Sequence, residues 1–477
     1  MRKRFITHCL GTVCLLLAFT ACTAPKVATR QANKSVPARY ADVQDSTNTA
    51  RVRWRDFFTD PYLVALIDTA LQHNQELNVT LQEIQIAQNE VRARKGEYLP
   101  FVGLRAAAGA EKVGRYTNIG ASEATTDIAP EKATPEPLPD YLVGAFARWE
   151  VDVWHKLRNA KKAAVNRYLS SVEGRNFMVT NLVAEIATSY YELLALDNQL
   201  AIVQQNIELQ NNALQIVRLQ KESARVTELA VRRFEAQVLN TRGLQYNIGQ
   251  RIVETANRIN FLVGRYPQPV ARSADAFNNL VPAAVQAGVP SQLLANRPDI
   301  RQAELDLAAA RLDVKVAKAN FYPSLGISAG IGLQAFNPAY LVKTPESMLL
   351  SLAGDVVAPL INRNAIKATY YSANARQLQA VYKYEQTVLN AYIEVANQLS
   401  NLSNLENSYD LKAQEVQALT QSVGIANNLF RSARADYMEV LLTQRDALES
   451  RFDLVETKMQ QLNAAVNVYR ALGGGWN

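Results

Sequence analysis

Apolar residues recur every seven places along two long stretches of this chain, and that repeat limits the fold more than any other feature. Val381, Val388, Val395, Leu402, Tyr409, Val416, Val423 and Phe430 keep the spacing without a break, and Tyr384, Leu405 and Leu419 add partial occupancy three places on. A strict heptad seam imposes a left-handed supercoil on a helix. The surrounding stretch, Ser372 to Leu472, has no proline and a single glycine, Gly424. A helix over about 374–431 is expected, roughly 87 Å long at ~1.5 Å per residue. A second seam runs through Val179, Ile186, Leu193, Leu200, Ile207 and Leu214, with Leu182, Leu196, Val203 and Val217 beside it. No proline falls between Pro139 and Pro267. Either seam alone fits an ordinary structural coiled coil. Two of them make an internal repeat.

The repeat extends beyond the helices. Glu97 to Leu104 matches Asn320 to Ile327, with Pro100 aligned on Pro323 and Gly103 on Gly326. After each proline the apolar period switches from 3.6 to 2. Leu325, Ile327, Ala329, Ile331 and Leu333 alternate with Gly326, Ser328, Gly330 and Gly332, the pattern of a strand with one apolar and one small or polar face. A second strand follows in each half, around Tyr141 to Val153 and Ser347 to Leu360. Between the first pair lies Gly114 to Asp140, rich in Pro, Thr, Glu and Ala, which reads as an exposed loop. Ser223-Ala224-Arg225 recurs as Ser432-Ala433-Arg434 and marks a turn after each long helix. Each half thus reads helix, strand, loop, strand, long helix, turn, helix.

The organisation expected is a leader over 1–21, a tether over 22–49, a first repeat over 50–266, a linker over 267–290 and a second repeat over 291–477. Arg2-Lys3-Arg4 precedes an apolar run, Phe5 to Ala21, and then Cys22. Small residues before a cysteine resemble a bacterial lipoprotein signal, with Cys22 diacylated; ordinary secretory cleavage after Ala21 is the alternative. Cys9 and Cys14 would leave with the leader, so no disulfide or thiol metal site remains. The net charge of +7 falls to +4 without the leader, too little to argue for nucleic acid. Trp54 to Leu63 opens a helix, with Asp60 as N-cap and Pro61 at the first helical position, and a helical pattern runs on through Leu66, Ala70, Leu77, Leu81, Ile84 and Val91.

Four strands cannot close a membrane barrel, which needs ~8 or more. Open edges are not tolerated in lipid. Either several copies close one barrel together, or two soluble hairpins pack on a coiled coil. Aromatics near the strand ends, including Tyr98, Phe101, Trp149, Trp154, Phe321 and Tyr322, suit interface girdles. No catalytic constellation competes: His8, His73 and His155 are isolated, and no phosphate loop or nucleophile elbow occurs. The methionines are scattered and mark no metal route.

The chain resembles the TolC-like outer-membrane factor family, in its lipoprotein branch. The resemblance rests on Trp54 to Leu63, Arg297-Pro298-Asp299-Ile300 with Ala303-Glu304, Asn320 to Leu325, Asp436 to Leu441, and Tyr469 to Trp476. It implies a mainly α chain with transmembrane β strands, assembled as a homotrimer. Three chains make a 12-stranded β-barrel in the outer-membrane lipid, continued by a long α-helical coiled-coil barrel and girdled by a belt of residues 38–70, 268–290 and the C-terminus. It implies a passive exit duct, not an enzyme, with no cofactor. A periplasmic adaptor (membrane fusion) protein and an inner-membrane transporter of the resistance-nodulation-division type are the implied partners. It also implies a gate at the turns: Glu439 in the acidic place, Asp436 as a second charge because Leu442 stands where another acid is usual, and Arg225, Glu228 and Arg434 across the turn. The same charges also fit a solvated turn. A lipid-anchored periplasmic scaffold that never crosses the membrane is the rival from another class.

Overall fold

The computed structural model describes residues 24–40, 47–273, 277, 279–282, 284–432 and 434–476. Cys22 and the leader lie outside the described residues. The chain forms two compact units. The first takes residues up to Gln31, Gln85–Leu169 and Leu305–Val381, and the second takes Ala32–Ile84, Ser170–Glu304 and Tyr382–Asn477. Each unit draws on both halves of the sequence, so the repeat is a unit of sequence and not of folding.

The elements follow in order: α1 (Pro61–His73), α2 (Gln75–Glu97), β1 (Phe101–Glu111), β2 (Leu138–Val151), α3 (Lys156–Glu222), α4 (Glu228–Val263), α5 (Pro298–Ala319), β3 (Ser324–Ala335), β4 (Met348–Val357), α6 (Asn364–Arg431) and α7 (Tyr437–Ala471). Asp60 caps α1 as expected, its carboxylate accepting from the N–H groups of Tyr62 and Leu63. The helical pattern expected to run on to Val91 is divided at Asn74. That side chain accepts from Leu77 N and donates to the Leu262 carbonyl, each at 2.8 Å, so it ends α1 and caps α2.

Several boundaries differ from the sequence reading; β4 runs from Met348 to Val357 and stops short of Leu360. α6 begins at Asn364, ten residues before the seam suggested. Its first turns do not face the seam; Tyr370 and Ala373 pack instead on Ala317 and Phe321. β2 starts at Leu138 and stops at Val151, where the Val153 N–H turns back to the Val151 carbonyl. The segment expected to be plain loop holds a short helix, Asn118–Glu123, and a ribbon pairing Asp127–Ala129 with Lys132–Ala133.

In the first unit the four long strands form one antiparallel sheet in the order β1-β2-β3-β4. The hairpins of the two halves are joined through β2 and β3, while β1 and β4 are edges. In the second unit, α3 pairs antiparallel with α4 and α6 with α7. Ion pairs Arg258–Glu185 and Lys412–Asp453, both 2.9 Å, tie one turn of each hairpin to its partner. The core gathers Leu63 and Ile67 of α1, Ile186, Tyr190 and Leu193 of α3, Ile259 of α4, and Val466 and Tyr469 of α7. The heptad positions Val381, Val388 and Val395 are buried. Only the end of the expected tether is packed among the described residues: Tyr40 is buried and stacked on Tyr392 at 5.4 Å, and Asn48 and Thr49 are buried, while most of 24–39 is exposed. No helix among the described residues is long and apolar enough to cross a membrane.

Candidate functional site

The sheet of the first unit separates its two faces sharply. Antiparallel partners project to the same side, so the register assigns every residue to a face. One face carries Val102, Leu104 and Ala106 of β1, Val143, Ala145, Ala147, Trp149 and Val151 of β2, Leu325, Ile327, Ala329, Ile331 and Leu333 of β3, and Met348, Leu350, Leu352 and Val356 of β4. It contains no charged residue. Leu104 is 90% exposed, Leu352 81% and Leu350 72% in the single chain, so this apolar surface is not spent on the protein's own core. Scattered exposed leucines are ordinary, but a continuous apolar face four strands wide marks an interaction surface.

The opposite face carries glycine, serine and charge: Gly103, Arg105, Gly144, Phe146, Arg148, Glu150, Gly326, Ser328, Gly330, Gly332, Ser351 and Asp355. The Phe146 ring lies over Gly330, where any Cβ would come within 2.8 Å of it. Asp355 lies over Gly326 in the same way.

The second candidate region is the tip formed by the two helix turns of the second unit. Both turns close alike. The Arg225 N–H donates to the Gln220 carbonyl and the Arg434 N–H to the Leu429 carbonyl, each at 2.8 Å. Ala224 takes φ +53° to make the first turn. Beneath the turns, Leu214, Val217, Val231, Phe234, Phe430 and Val440 share one apolar cluster, which holds the two hairpins together. A cleft of about 410 Å³ adjoins it on the side away from the turns, lined by Phe234, Phe430, Asn427, Gln444 and Arg451 among others.

Arg225, Glu228, Arg434, Asp436 and Glu439 are all exposed at this tip. Asp436 is the N-cap residue of α7, though its side chain makes no cap bond, and Glu439 stands in the first turn. Both acids therefore sit at the positive end of the α7 dipole. Glu228 opens α4 and pairs with Lys221 across the turn and with Arg232 at 2.8 Å one turn on. The Lys221 ammonium, then Arg232, holds its carboxylate below the usual range. The cross-turn pair is thus Lys221–Glu228 and does not involve Arg225 or Arg434. Sequence reasoning missed Lys221 and Arg232, although Glu228-Arg232 at i,i+4 is a readable helix pair. It also missed Arg233, whose guanidinium reaches Met438 Sδ at 3.4 Å between the hairpins.

The outer membrane efflux protein family model matches residues 66–265 and 289–474. The chain belongs to the outer membrane efflux protein family. Members of this family are efflux channels and not enzymes. Among its relatives is the pyoverdine export outer membrane protein OpmQ of Pseudomonas aeruginosa, 26% identical over 98% of this chain and 96% of the relative. The cation efflux system protein CusC of Escherichia coli is 26% identical over 97% and 98%. The fold of this family member agrees with the crystal structure of CusC, at a TM-score of 0.81 over 95% of this chain and 99% of that one, with 24% identity. It agrees equally with the open state of the MtrE outer membrane channel of Neisseria gonorrhoeae, at a TM-score of 0.81 and 22% identity over 95% and 98%.

Proposed function

We propose that this chain is the outer-membrane channel of a tripartite efflux pump, a passive duct for substrates delivered by an inner-membrane transporter of the resistance-nodulation-division type through a periplasmic adaptor. One observation carries the reading. The sheet has an apolar face with no charge on it and two unpaired edges, β1 and β4. Hydrocarbon tolerates such a face and forbids such edges. Three copies joined edge to edge give 12 strands and leave no edge, and the glycine-rich face then lines the lumen. In this reading Cys22 carries a lipid that supplements the barrel's hold on the membrane. Glu439 and Asp436, repeated around a threefold axis, form the acidic ring of a gate at the tip, and Arg225, Glu228 and Arg434 flank it.

The test is reconstitution of the purified chain. Expected are a trimer that resists detergent until heated and single-channel conductance in planar bilayers. A water-soluble monomer after removal of the lipid would sink the reading and favour the lipid-anchored scaffold.

A further inference from the structure

We propose that Arg311, Lys315 and Lys318 of α5 bind the headgroups of anionic phospholipid on the helix side of the sheet, an inference that rests on the membrane reading above. Spaced at i, i+4 and i+7, the three cations form one stripe along α5. All three are exposed, and none has a carboxylate partner among the described residues. The one acid between them, Asp313, points elsewhere and is held by Arg167 of α3.

The stripe leads into an aromatic pair. Beyond α5 the chain keeps turning, with the Phe321 and Tyr322 N–H groups donating to Lys318 and Ala319 carbonyls at 3.1 Å. Tyr322 stacks on Trp154 at 4.8 Å, and the Trp154 indole donates to the Pro323 carbonyl at 2.7 Å. Trp154 lies three residues past Val151 and Tyr322 three before Leu325, where the apolar face ends. Apolar face, aromatic pair and cation stripe thus follow one another in the order in which a leaflet presents hydrocarbon, interface and phosphate. At ~1.5 Å per residue, Lys318 and Lys315 stand about 6 and 10 Å beyond Tyr322 and Arg311 about 16 Å. The headgroup layer is roughly 5–8 Å deep. Lys318 therefore lies within the layer and carries most of the binding, Lys315 stands at its outer margin, and Arg311 lies beyond it.

Positive charge gathers at this end of the sheet. Residues 155–168 of the adjoining α3 segment hold five cations and no carboxylate; Lys156, Arg158 and Arg167 are paired with Glu150, Asp152 and Asp313, which leaves Lys161 and Lys162, whereas 111–137 at the other end hold five carboxylates and three cations. Free phosphate would gain the charge but not the aromatic and apolar contacts. A lipid gains all three.

The test uses the full-length protein in neutral detergent, with phosphatidylglycerol, phosphatidylcholine and inorganic phosphate titrated in turn and bound lipid counted by native mass spectrometry. Each cation near an anionic surface is worth about fivefold in affinity. Wild type should prefer phosphatidylglycerol by at least tenfold, and Lys315→Glu with Lys318→Glu should abolish the preference. Lys315→Gln with Lys318→Gln should weaken it and serves as the milder variant should the first fail to fold. Lys132→Glu, at the other end, should leave it intact. Equal binding of the two lipids by wild type, or a preference that survives both double variants, would overturn the proposal. So would competition by millimolar phosphate, or unchanged lipid binding with altered ion selectivity, which would put the stripe in the lumen. Flotation with phosphatidylcholine vesicles tests the membrane reading separately: a chain that floats but shows no headgroup preference refutes this proposal alone.

Discussion

Gly144 and Gly332 face each other across β2 and β3 so closely that a Cβ on Gly144 would lie 2.8 Å from the Gly332 Cα and 2.7 Å from the Ile331 carbonyl oxygen. The same holds in reverse for Gly332 against Gly144 and Val143. The obstacle is backbone on both sides and cannot rotate away. Gly144→Ala or Gly332→Ala should each cost about 1–3 kcal/mol by overpacking. Because the two share one gap, the double variant should cost less than the sum. Thermal melts followed by the sheet's circular dichroism measure this, and fully additive losses would count against a shared gap.

The two faces of β3 should respond oppositely to charge. Ile331, on the apolar face and 55% exposed in the single chain, should lose about 2–4 kcal/mol of stability in lipid when replaced by arginine. Ser328→Arg, on the other face, should leave stability nearly unchanged and reduce conductance. Urea titration in vesicles and single-channel recording separate the two effects. Equal destabilisation by both would contradict the face assignment.

Arg297 is buried and binds Asp299 at 2.7 Å, Glu394 at 2.8 Å and the Ala471 carbonyl at 2.7 Å. Arg297→Met would leave two carboxylates and a carbonyl facing an apolar group, at a cost of about 3–5 kcal/mol. Arg297→Lys keeps the charge but not the fork that reaches three acceptors, so it should recover only part of the loss. Full recovery by lysine in chemical denaturation would show that charge alone matters there.

The Lys221–Glu228–Arg232 cluster gives the tip a pH dependence. The Glu228 carboxylate titrates below its ordinary 4.5 in the folded chain, so the folded state binds fewer protons than the unfolded one. Its contribution is complete above about 4.5 and fades as pH falls through the lowered value. Amide exchange of residues 218–232, corrected for the intrinsic pH effect, should therefore quicken on acidification. In Glu228→Gln it should be quick throughout. A variant that matches wild type at neutral pH would remove the cluster from tip stability.

Neutralising Asp436 and Glu439 together should reduce cation selectivity in planar-bilayer recordings of the assembled channel. Charge reversal at Arg225 or Arg434 should raise the conductance of the closed state. Unchanged selectivity and conductance would return all four to the role of solvated turn charges.

Much of this was legible locally. The Asp60-Pro61 cap lies within one turn of chain, and the strand faces follow from a period of two, so both could be read without knowing their neighbours. The joining of β2 to β3 could not, because it links residues nearly two hundred places apart whose alternation would suit any partner of the same pattern. The start of α6 was missed because Tyr370 pairs with Phe321 and not with the seam that marks the rest of the helix. At the tip the acids were found and the cations holding Glu228 were not. Arg225 and Arg434 stand in the repeated Ser-Ala-Arg turn, whereas Lys221 falls on the last turn of the preceding helix, outside any repeated motif.

The two unpaired edges have a thermodynamic consequence. On the proposed barrel reading, a sheet that ends at β1 and β4 cannot satisfy its own backbone in hydrocarbon, so assembly and membrane entry would be one event. Stability then obeys mass action, and the melting temperature should climb with chain concentration and have no single value. In water the same edges are templates for indiscriminate pairing. Chains made faster than the membrane can take them up would therefore be lost to aggregation through the very contacts that complete the channel.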